Sequence, residues 1–454
     1  MKLPGRSPGV VLTMVGLAGV SVSAGLWSAR AQLPEVATET ALDRPSSGST
    51  KQVSSHLQRF SLGLNAGLAV PAKRRARMDR AAVDAALAED GALLRGLGAT
   101  LVRAQTFGFP NVSCMGLERD ENALADMDSW VTALGTDLVG LANVSPWPAV
   151  QTGSFTRNYL PQDLPAYERC VAGLVERYDG DGVDDMPGLV APLRYWEIDN
   201  EPDLKNSLVA RNTQEDYDPE RFCTPAEYAT IVLASARAIR LADPQARVLA
   251  LGLFRPHAEQ GQRYAREVLA IEGVPAAFDI LSLHTYHDDD GERLAAGIRA
   301  VSALVPGKPV WVTESSVTTA GGEETQARRV AALVARAAEA GAEAFFWHTL
   351  VDPPTRGGPG GSPFSTNSLL STTAGGAPTD KPAAAVYRHL AARLAGADLR
   401  GAALAGEGAV RLVTGEVLLY EGARSALSGG FDLRSGGAIP RGATAQAPAW
   451  LNTP

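Results

Sequence analysis

Two glutamates stand at the ends of strand-like apolar runs, where acid–base chemistry is easily assembled. Glu201 lies within Asn200-Glu201-Pro202, directly after the apolar run Leu193–Asp199. Glu314 ends a second run that begins at Pro309. Two carboxylates that face each other can divide a reaction, one donating a proton while the other attacks or activates water. Cleavage of a glycosidic bond commonly uses such a pair.

The segments that must position these glutamates alternate between short apolar runs and helical patterns. Eight apolar runs are separated, in most cases, by a segment with helical periodicity. This alternation predicts parallel strands joined by helical crossovers. The runs cover residues 60–65, 100–104, 137–142, 193–199, 248–253, 279–284, 309–313 and 344–349. The helical segments include residues 81–97, 122–134, 164–178, 225–241, 325–340 and 382–395.

Eight such units predict an α/β fold, a (β/α)8 TIM barrel over residues 56–395, with insertions. A doubly wound open sheet is the alternative, but it would usually carry a Gly-rich phosphate turn after the first strand. The segment Gly63-Leu64-Asn65-Ala66-Gly67 does not match that turn. In a barrel the catalytic residues gather at the C-terminal ends of the strands. Glu201, after the fourth strand, and Glu314, after the seventh, would then face each other across the barrel mouth.

One predicted helix has a clear start signal. Thr224 suits the N-cap, Pro225 the first helical position, and Glu227 the carboxylate of a capping box. These residues predict a helix that begins at Pro225.

Two insertions interrupt the barrel pattern. Residues 179–185 superficially resemble a calcium loop, but they lack the Gly and Glu of an EF-hand at the sixth and twelfth positions. We expect a tight acidic turn there, with a metal site as the alternative. Residues 351–380 are rich in Gly, Pro and Ser and follow the eighth strand. This second insertion either closes over a substrate or is simply a long loop.

The C-terminal region, residues 396–454, has a different pattern. Val410–Val413 and Glu416–Tyr420 flank Thr414-Gly415, which is a hairpin signal. The region is short for an independent sandwich, so we expect a small β-rich appendage packed on the barrel.

Residues 1–31 have the features of a signal peptide. Lys2 and Arg6 form a positive n-region, residues 10–27 are mostly apolar and small, and Ala29-Arg30-Ala31 fits a cleavage site. We expect export, to the medium or the periplasm. An uncleaved anchor that leaves the protein facing outside is the alternative, although the apolar run is barely long enough to span a bilayer. Residues 32–55, rich in Ser, Thr, Ala and Pro, predict a flexible leader.

Charge and composition exclude some partners. The 454 residues are 45% hydrophobic and 20% charged, which is ordinary for a globular protein, and the formal net charge is -8. Without a basic block, a nucleic-acid partner is not expected. No later segment approaches a transmembrane helix, so no membrane contact is expected after signal cleavage.

The three cysteines are Cys114, Cys170 and Cys223. An exported protein can keep one disulfide and leave an odd thiol. Cys170 falls in a helical pattern and is expected in the core. Cys114 and Cys223 both follow strands on the same face of the predicted barrel, so a bridge between them is possible. The cysteine spacing predicts no metal site.

The segments around the two glutamates resemble clan A of the glycoside hydrolases. The resemblance rests on Tyr195-Trp196-Glu197-Ile198-Asp199-Asn200-Glu201-Pro202 and on Lys308-Pro309-Val310-Trp311-Val312-Thr313-Glu314, and it covers roughly residues 60–394. Clan A comprises retaining (β/α)8 enzymes. The resemblance implies that Glu201 is the general acid/base and Glu314 the nucleophile. Glu201 must then be protonated at working pH, so we expect burial and the charge of Glu314 to raise its pKa.

Further positions match other functional residues of the clan. Arg103 matches the arginine that holds the nucleophile ionised, and Asn200 the asparagine that hydrogen-bonds the sugar 2-hydroxyl. In His284-Thr285-Tyr286, the histidine matches a substrate contact and the tyrosine a hydroxyl on the nucleophile. The resemblance also implies an aromatic platform for a sugar ring at Trp347, and Trp147 is a candidate for an outer sugar site.

Some readings stay open at this point. Taken alone, Arg103 is equally a structural ion-pair residue, and His284 is more often a satisfied polar residue. Asp199 departs from the clan, whose members often carry an aromatic or small apolar residue there. Its carboxylate either perturbs Glu201 or pairs with a basic neighbour.

We expect an exported retaining glycoside hydrolase that cleaves β-glycosidic bonds of an oligo- or polysaccharide. This chemistry requires no cofactor and no metal. The alternatives are a carbohydrate-binding protein on the same barrel and a transglycosylase, which would use the same residues. A serine hydrolase is disfavoured because no Gly-x-Ser-x-Gly elbow is present. Sugar, linkage and oligomeric state are left open.

Overall fold

Eight parallel strands close into a barrel in the computed structural model, in the order in which they occur in the chain. Strand β1 pairs with both β2 and β8, which closes the sheet. The alternation of strands and helices along the sequence predicts this TIM barrel, and the prediction is confirmed. The strands are β1 Ser61–Ala66, β2 Leu101–Ala104, β3 Val139–Val144, β4 Tyr195–Ile198, β5 Arg247–Leu253, β6 Ile280–Tyr286, β7 Val310–Ser316 and β8 Ala344–His348.

The structure describes the barrel and parts of the C-terminal region. The described barrel residues are 60–66, 78–104, 121–146, 160–161, 163–204, 223–286, 291–352, 366–372 and 377–394. Further along the chain they are 403–406, 409–411, 417–419, 430–433 and 437–439. The predicted signal peptide and leader lie outside these residues. Among the described helices, none has the length and hydropathy needed to cross a bilayer.

Helices connect the strands in the described residues. Their bounds are α1 Arg80–Gly96, α2 Glu121–Leu134, α3 Leu164–Glu176, α4 Pro225–Ala242, α5 Glu259–Leu269, α6 Val274–Ala277, α7 Glu292–Ser302, α8 Glu323–Glu339 and α9 Pro382–Leu394. The predicted start of α4 is confirmed. The Thr224 hydroxyl accepts a hydrogen bond from the backbone of Glu227, whose carboxylate accepts one from the Thr224 backbone.

The barrel interior changes from apolar to polar toward the C-terminal ends of the strands. An apolar cluster fills the lower interior with Leu101, Leu141, Tyr195, Leu249, Ile280, Trp311, Ala344 and Phe346. Successive side chains of a strand point to opposite faces, so the next inward position lies two residues further on. On six strands that position is polar: Arg103, Asn143, Glu197, Ser282, Thr313 and His348. The fold thus places a buried polar layer directly beneath the mouth.

The segment that follows β8 is held beside the barrel by an ion pair and a two-stranded sheet. Strands β9 Leu370–Ser371 and β10 Thr379–Asp380 pair antiparallel. The buried Lys381 ammonium lies 2.6 Å from Asp352 Oδ2 and donates to the carbonyl oxygen of Ser368 at 2.9 Å. This ion pair ties the start of the segment to its end, beside the barrel mouth.

The C-terminal region forms the small β sheet that the sequence predicts. Its strands are β11 Ala403–Gly406, β12 Ala409–Arg411, β13 Val417–Leu419, β14 Gly430–Asp432 and β15 Gly437–Ile439. Strands β12 and β13 pair antiparallel, as the hairpin signal predicts. The Nδ1 atom of His389 on α9 lies 2.8 Å from the Leu433 carbonyl oxygen, which connects the sheet to the barrel.

A buried carboxyl on α1 makes the stability of the barrel dependent on pH. Asp90 is 8% exposed and packs among apolar side chains of α1 and α2, which include Leu87 and Trp130. Within the described part of the chain, its Oδ2 has no hydrogen-bond partner. Burial, with a smaller contribution from the charge of Glu89, raises the pKa of Asp90 to about 8. Asp90 is therefore neutral in the folded protein at pH 7.

We expect Asp90→Asn to stabilise the protein increasingly as pH rises. An unfolded chain releases this proton near pH 4, whereas the folded chain holds it to about pH 8. Between these values the wild type loses ~1.4 kcal/mol of unfolding free energy per pH unit that the variant does not lose. Urea unfolding at pH 5, 7 and 9 measures the difference. The exposed Glu272→Gln is the matched control, with a nearly constant difference, and a flat profile for Asp90→Asn would contradict the assignment.

Candidate active site

The segment after β4 holds Glu201 in an unusual backbone conformation. Asp199 and Glu201 have φ values of 61° and 50°, which place two non-glycine residues in the left-handed region on either side of Asn200. The Glu201 amide donates to the Gly252 carbonyl oxygen at 3.1 Å. Such strained backbone persists where its surroundings over-determine it, and it concentrates at functional sites. The turn aims the Glu201 side chain across the mouth.

The carboxylates of Glu201 and Glu314 meet at the centre of the mouth. One oxygen of each and one ring nitrogen of His284 all lie within 4.8 Å of one another. Both glutamate side chains are nearly buried, with exposures of 9% and 4%. The ends of β4 and β7 therefore face each other across the mouth, as predicted, and the two carboxylates lie close together.

Arg103 on β2 holds the Glu314 carboxylate from below. Its Nη1 donates to Glu314 Oε1 at 2.5 Å, its Nε to Glu197 Oε2 at 2.6 Å and its Nη2 to Asn200 Oδ1 at 2.8 Å. The guanidinium is fully buried, and although burial lowers its pKa, the charges of Glu197 and Glu314 raise it further. Its Nη1 also donates to Asn65 Oδ1 at 3.0 Å, so Arg103 is a permanent cation that fixes four side chains.

Glu314 is kept ionised by its surroundings. Burial alone would raise its pKa, but the charges of His284, Arg103 and His348 outweigh burial and lower the pKa well below the usual carboxyl range. The Tyr286 hydroxyl donates to Glu314 Oε2, so both carboxylate oxygens accept a hydrogen bond. Tyr286 and Arg103 therefore both contact Glu314, the residue that the resemblance assigns as the nucleophile.

The pKa of Glu201 is shifted in the opposite direction, upward. Burial raises its pKa, and the charges of Glu314 and Asp203 add to that effect, while the hydrogen bond and charge of His284 oppose it. The net shift is upward, as expected from the sequence. Two neighbouring carboxylates with pKa values displaced in opposite directions are the arrangement that assigns one as acid and the other as base or nucleophile.

His284 lies behind the two carboxylates. The imidazole is fully buried, its Nδ1 is 2.9 Å from Glu201 Oε1, and its Nε2 is 3.1 Å from Thr313 Oγ1. Both nitrogens have protein partners, and contact of His284 with substrate stays a prediction. The residue connects Glu201 to the polar layer beneath it.

Trp347 is not a sugar platform. It is fully buried in the outer core, between the strands and the helices, and its Nε1 donates to the Asn367 carbonyl oxygen at 2.8 Å. The physical reason is strand alternation, since Phe346 occupies the inward position immediately before it. The platform expected at Trp347 is therefore wrong, and His348 is the inward-facing residue at the end of β8.

His348 is a site residue that the sequence analysis missed. Its Nδ1 lies 3.7 Å from Glu314 Oε2, and its ring meets the Tyr286 ring edge-on at a centroid distance of 5.8 Å. Burial, together with the charges of Arg103 and His284, lowers its pKa despite the opposing effect of Glu314. Counting inward positions along β8 from Ala344 would have identified it.

Glu197 and Thr313 were also missed as parts of the site. Thr313 Oγ1 donates to Glu197 Oε1 at 2.9 Å, and both residues are fully buried. Both stand two positions after an inward apolar residue, which is the only sequence signal that could have found them. They link His284 to Arg103 beneath the carboxylates of Glu201 and Glu314.

Asp199, the departure from the clan, points toward β3. Its Oδ1 accepts from the Ser145 hydroxyl at 2.9 Å, and its carbonyl oxygen accepts from Asn143 at 2.6 Å. These bonds hold the left-handed turn that presents Glu201. A conformational role for Asp199 follows from these contacts.

The cysteine pairing expected from the sequence is wrong. Cys223 is fully buried and not disulfide-bonded, and its Sγ lies 3.5 Å from the Tyr264 hydroxyl. Cys170 on α3, expected as a core residue, is only half-buried and is disulfide-bonded. Cys114 lies outside the described residues, as does Trp147. Tyr264 of α5 packs against Cys223 and buries it. Cys223 is therefore not exposed on the barrel face where the bridge was expected.

Two groups of described residues have ligand atoms close enough to hold a metal ion. One is the group of Glu201, His284 and Glu314 at the mouth, and the other is Glu176, Asp179 and Asp181. In the second group the carboxylates accept backbone hydrogen bonds, such as that from the Asp181 amide to Asp179 at 3.1 Å. The geometry is the tight acidic turn expected from the sequence.

Comparison with known proteins connects this geometry to a family. Residues 199–345 match the family described as glycosyl hydrolase catalytic core. None of the curated proteins compared with this chain matches it. The matched segment runs from Asp199, beside Glu201, through Glu314 to β8, so it contains both glutamates of the mouth.

Solved structures share the barrel at low sequence identity. The exo-β-1,4-mannosidase Op5Man5 from Opitutaceae bacterium strain TAV5 is 18% identical with a TM-score of 0.53, over 74% of this chain and 60% of the mannosidase. A GH5_18 protein from Streptomyces cattleya, solved with Manβ1-4GlcNAc, is 15% identical with a TM-score of 0.55, over 74% of this chain and 80% of that one. A GH39 β-xylosidase from Caulobacter crescentus is 17% identical with a TM-score of 0.50, over 77% and 73%.

These neighbours are clan A glycoside hydrolases, the clan that the two glutamate segments resemble. At such identities the likeness establishes the fold, and the family match adds the segment that carries the two carboxylates. The chain is therefore similar to glycoside hydrolases both in its eight-stranded barrel and in its catalytic core.

Proposed function

We propose that this protein is a retaining glycoside hydrolase that cleaves β-linked oligo- or polysaccharides. The observation that carries the proposal is the pair of nearly buried carboxylates, Glu201 and Glu314, with oxygens within 4.8 Å and pKa values displaced in opposite directions. Retaining glycosidases hold their carboxyl groups about 5–5.5 Å apart, whereas inverting ones leave roughly 6.5–9.5 Å for a water molecule. The short separation favours retention.

In the first step, an oxygen of Glu314 attacks the anomeric carbon of the bound sugar. The bond to the leaving oxygen breaks, and the proton of Glu201 is transferred to that oxygen. Arg103 keeps Glu314 anionic until attack, and the Tyr286 hydroxyl holds its other oxygen in place. The product is a glycosyl ester of Glu314 and a free alcohol.

In the second step, Glu201 acts as a base. Esterification removes the negative charge of Glu314, one of the groups that raise the pKa of Glu201, so its carboxylate becomes the favoured form. It takes a proton from water, whose oxygen attacks the anomeric carbon and releases Glu314. Two inversions give net retention of configuration.

Substrate class and cellular location are inferred from weaker observations. Structural neighbours include an exo-β-1,4-mannosidase, a protein solved with Manβ1-4GlcNAc, and a β-xylosidase. We therefore propose β-linked mannose- or xylose-containing glycans as the first substrates to test. The features of residues 1–31 support export, with cleavage after the small-x-small site.

The proposal is tested by the stereochemistry of the first product. Proton NMR should show the β-anomer of the released sugar before mutarotation, during hydrolysis of β-linked mannosides, xylosides or glucosides. Early appearance of the α-anomer would exclude the double displacement. If the folded protein released no sugar from the panel but bound oligosaccharides in calorimetry, the carbohydrate-binding alternative would replace the enzyme. Transfer of the sugar to an added alcohol acceptor would indicate the transglycosylase.

A further inference from the structure

A chain of hydrogen bonds beneath the mouth determines which nitrogens of His284 carry hydrogen. The chain runs from Glu197 through Thr313 to His284 and then to Glu201, with spacings of 2.9, 3.1 and 2.9 Å. Its first member, Glu197, is also bonded to Arg103 at 2.6 Å. A carboxylate paired with a guanidinium only accepts hydrogen bonds, so the Thr313 hydroxyl must give its one hydrogen to Glu197.

The remaining lone pairs of Thr313 then face His284. A hydroxyl oxygen that has donated its hydrogen can only accept from the imidazole, so Nε2 must carry a hydrogen. The other nitrogen, Nδ1, lies 2.9 Å from Glu201 Oε1. The tautomer of His284 is therefore set from beneath, by residues that do not line the substrate cleft.

The bond between His284 and Glu201 has two forms, which differ in what Glu201 can do. If Nδ1 lacks a hydrogen, Glu201 must donate its own proton to Nδ1, and that proton points away from the cleft. If Nδ1 carries a hydrogen, Glu201 Oε1 accepts it, and a proton on Oε2 is available to a leaving group. Only the second form can protonate the glycosidic oxygen.

We propose that His284 must be protonated on both nitrogens when Glu201 acts as the acid, and that Thr313 and Glu197 are positioning residues that hold it in that state. The inference rests on the proposed hydrolase function and adds a proton-holding group to it. During the acid step the proton on Glu201 Oε2 passes to the leaving oxygen, while His284 keeps both of its hydrogens and stabilises the carboxylate that forms.

The charges around His284 are compatible with an imidazolium. Burial lowers its pKa, but the charges of Glu314 and Glu201 and the hydrogen bond to Glu201 outweigh burial and raise it, against the opposing charge of Arg103. Its Nδ1 is 3.8 Å from Glu314 Oε2. The titratable or charged groups that face His284 and Glu201 come from β2, β4, the turn after β4, β6, β7 and β8. They are Arg103, Glu197, Asp203, Tyr286, Glu314 and His348.

Thr313→Val tests the role of the hydroxyl. The valine leaves the Nε2 hydrogen of a buried imidazolium without its acceptor, so the ring loses its extra proton at lower pH. We expect the basic limb of the kcat/KM profile to move down by about one pH unit. At acidic pH the variant should keep most of its kcat/KM. Thr313→Ser restores the hydroxyl and should restore the limb to its wild-type position.

Thr285→Val is the matched control. Thr285 is a buried neighbour on β6 whose hydroxyl donates to the His284 carbonyl oxygen, not to the ring. Its loss disturbs the strand without touching the imidazole, so the basic limb should stay in place. An unchanged limb in Thr313→Val, or an equal shift in Thr285→Val, would overturn the inference and leave Thr313 a merely structural residue.

A second measurement needs no turnover. In protein labelled with ¹⁵N-histidine, the ring signals of His284, assigned by their loss in His284→Gln, should show a hydrogen on Nε2 at every pH. The hydrogen on Nδ1 should titrate with the basic limb. A resting enzyme with hydrogen on Nδ1 alone would refute the inference even if hydrolysis were demonstrated. Conversely, absence of any glycosidase activity together with the expected signals would refute the proposed function and the catalytic role, while leaving the tautomer assignment standing.

Discussion

Replacement of Glu314 by glutamine should lower kcat/KM for an activated aryl β-glycoside by about 10⁴-fold or more, because no covalent intermediate can form. Glutamine keeps the size of the side chain but removes the charge that Arg103 and Tyr286 hold in place. Steady-state release of nitrophenol measures the effect. The exposed Glu272→Gln, which removes a carboxylate far from the polar layer, should behave as wild type.

Azide rescue separates loss of the nucleophile from loss of the fold. In Glu314→Ala the space beside the anomeric carbon admits a small anion, and attack by azide in place of Glu314 should produce the α-glycosyl azide. A β-glycosyl azide from this variant would place azide on the opposite face and would contradict the assignment of Glu314 as nucleophile. Wild-type rates in Glu314→Gln would reject it outright.

Replacement of Glu201 by alanine should have an effect that depends on the leaving group. For a substrate with a poor leaving group, which needs the proton, we expect kcat/KM to fall by roughly 10²–10⁴-fold. For a dinitrophenyl glycoside, which needs little proton assistance, kcat/KM should change much less, while kcat falls because water is no longer activated. The leaving-group series measures both effects together.

The pH profile gives an independent check on Glu201. Wild-type kcat/KM should fall at high pH, because the hydrogen-bonded pair of Glu201 and His284 loses a proton there, and burial is the chief cause that raises the pKa of Glu201. In Glu201→Ala that basic limb should disappear for the dinitrophenyl substrate. Equal losses for good and poor leaving groups, or persistence of the limb, would show that another group supplies the proton. Azide should rescue this variant to the β-glycosyl azide.

The barrel could be predicted from the sequence because its signals are local. Short apolar runs alternate with amphipathic helices, and each run or helix can be recognised from consecutive residues, as for β7 and α8. Observed strand bounds differ from the predicted ones by a few residues, chiefly where β6 and β7 extend to Tyr286 and Ser316. The capping box at Thr224 likewise depends on neighbouring residues alone.

The pairing of Glu201 and Glu314 could also be predicted from the sequence, because strand order alone determines which strand ends face each other. Once eight strands are counted, Glu201 and Glu314 must stand at opposite sides of one mouth. Arg103 and Tyr286 could be placed beside Glu314 only through the resemblance to clan A. Their hydrogen bonds now have defined partners and distances.

What the sequence by itself determined was therefore the barrel and the meeting of two carboxylates, since both follow from the order and period of local elements. Tertiary structure alone decided which side chains face inward and what each one contacts. The alternation of side chains along β8 places Trp347 in the outer core and His348 beside Glu314. Packing between strands places His284 against Glu201 and Thr313. Such pairings join residues far apart in the chain, so their energies depend on burial and on neighbours that no local pattern specifies.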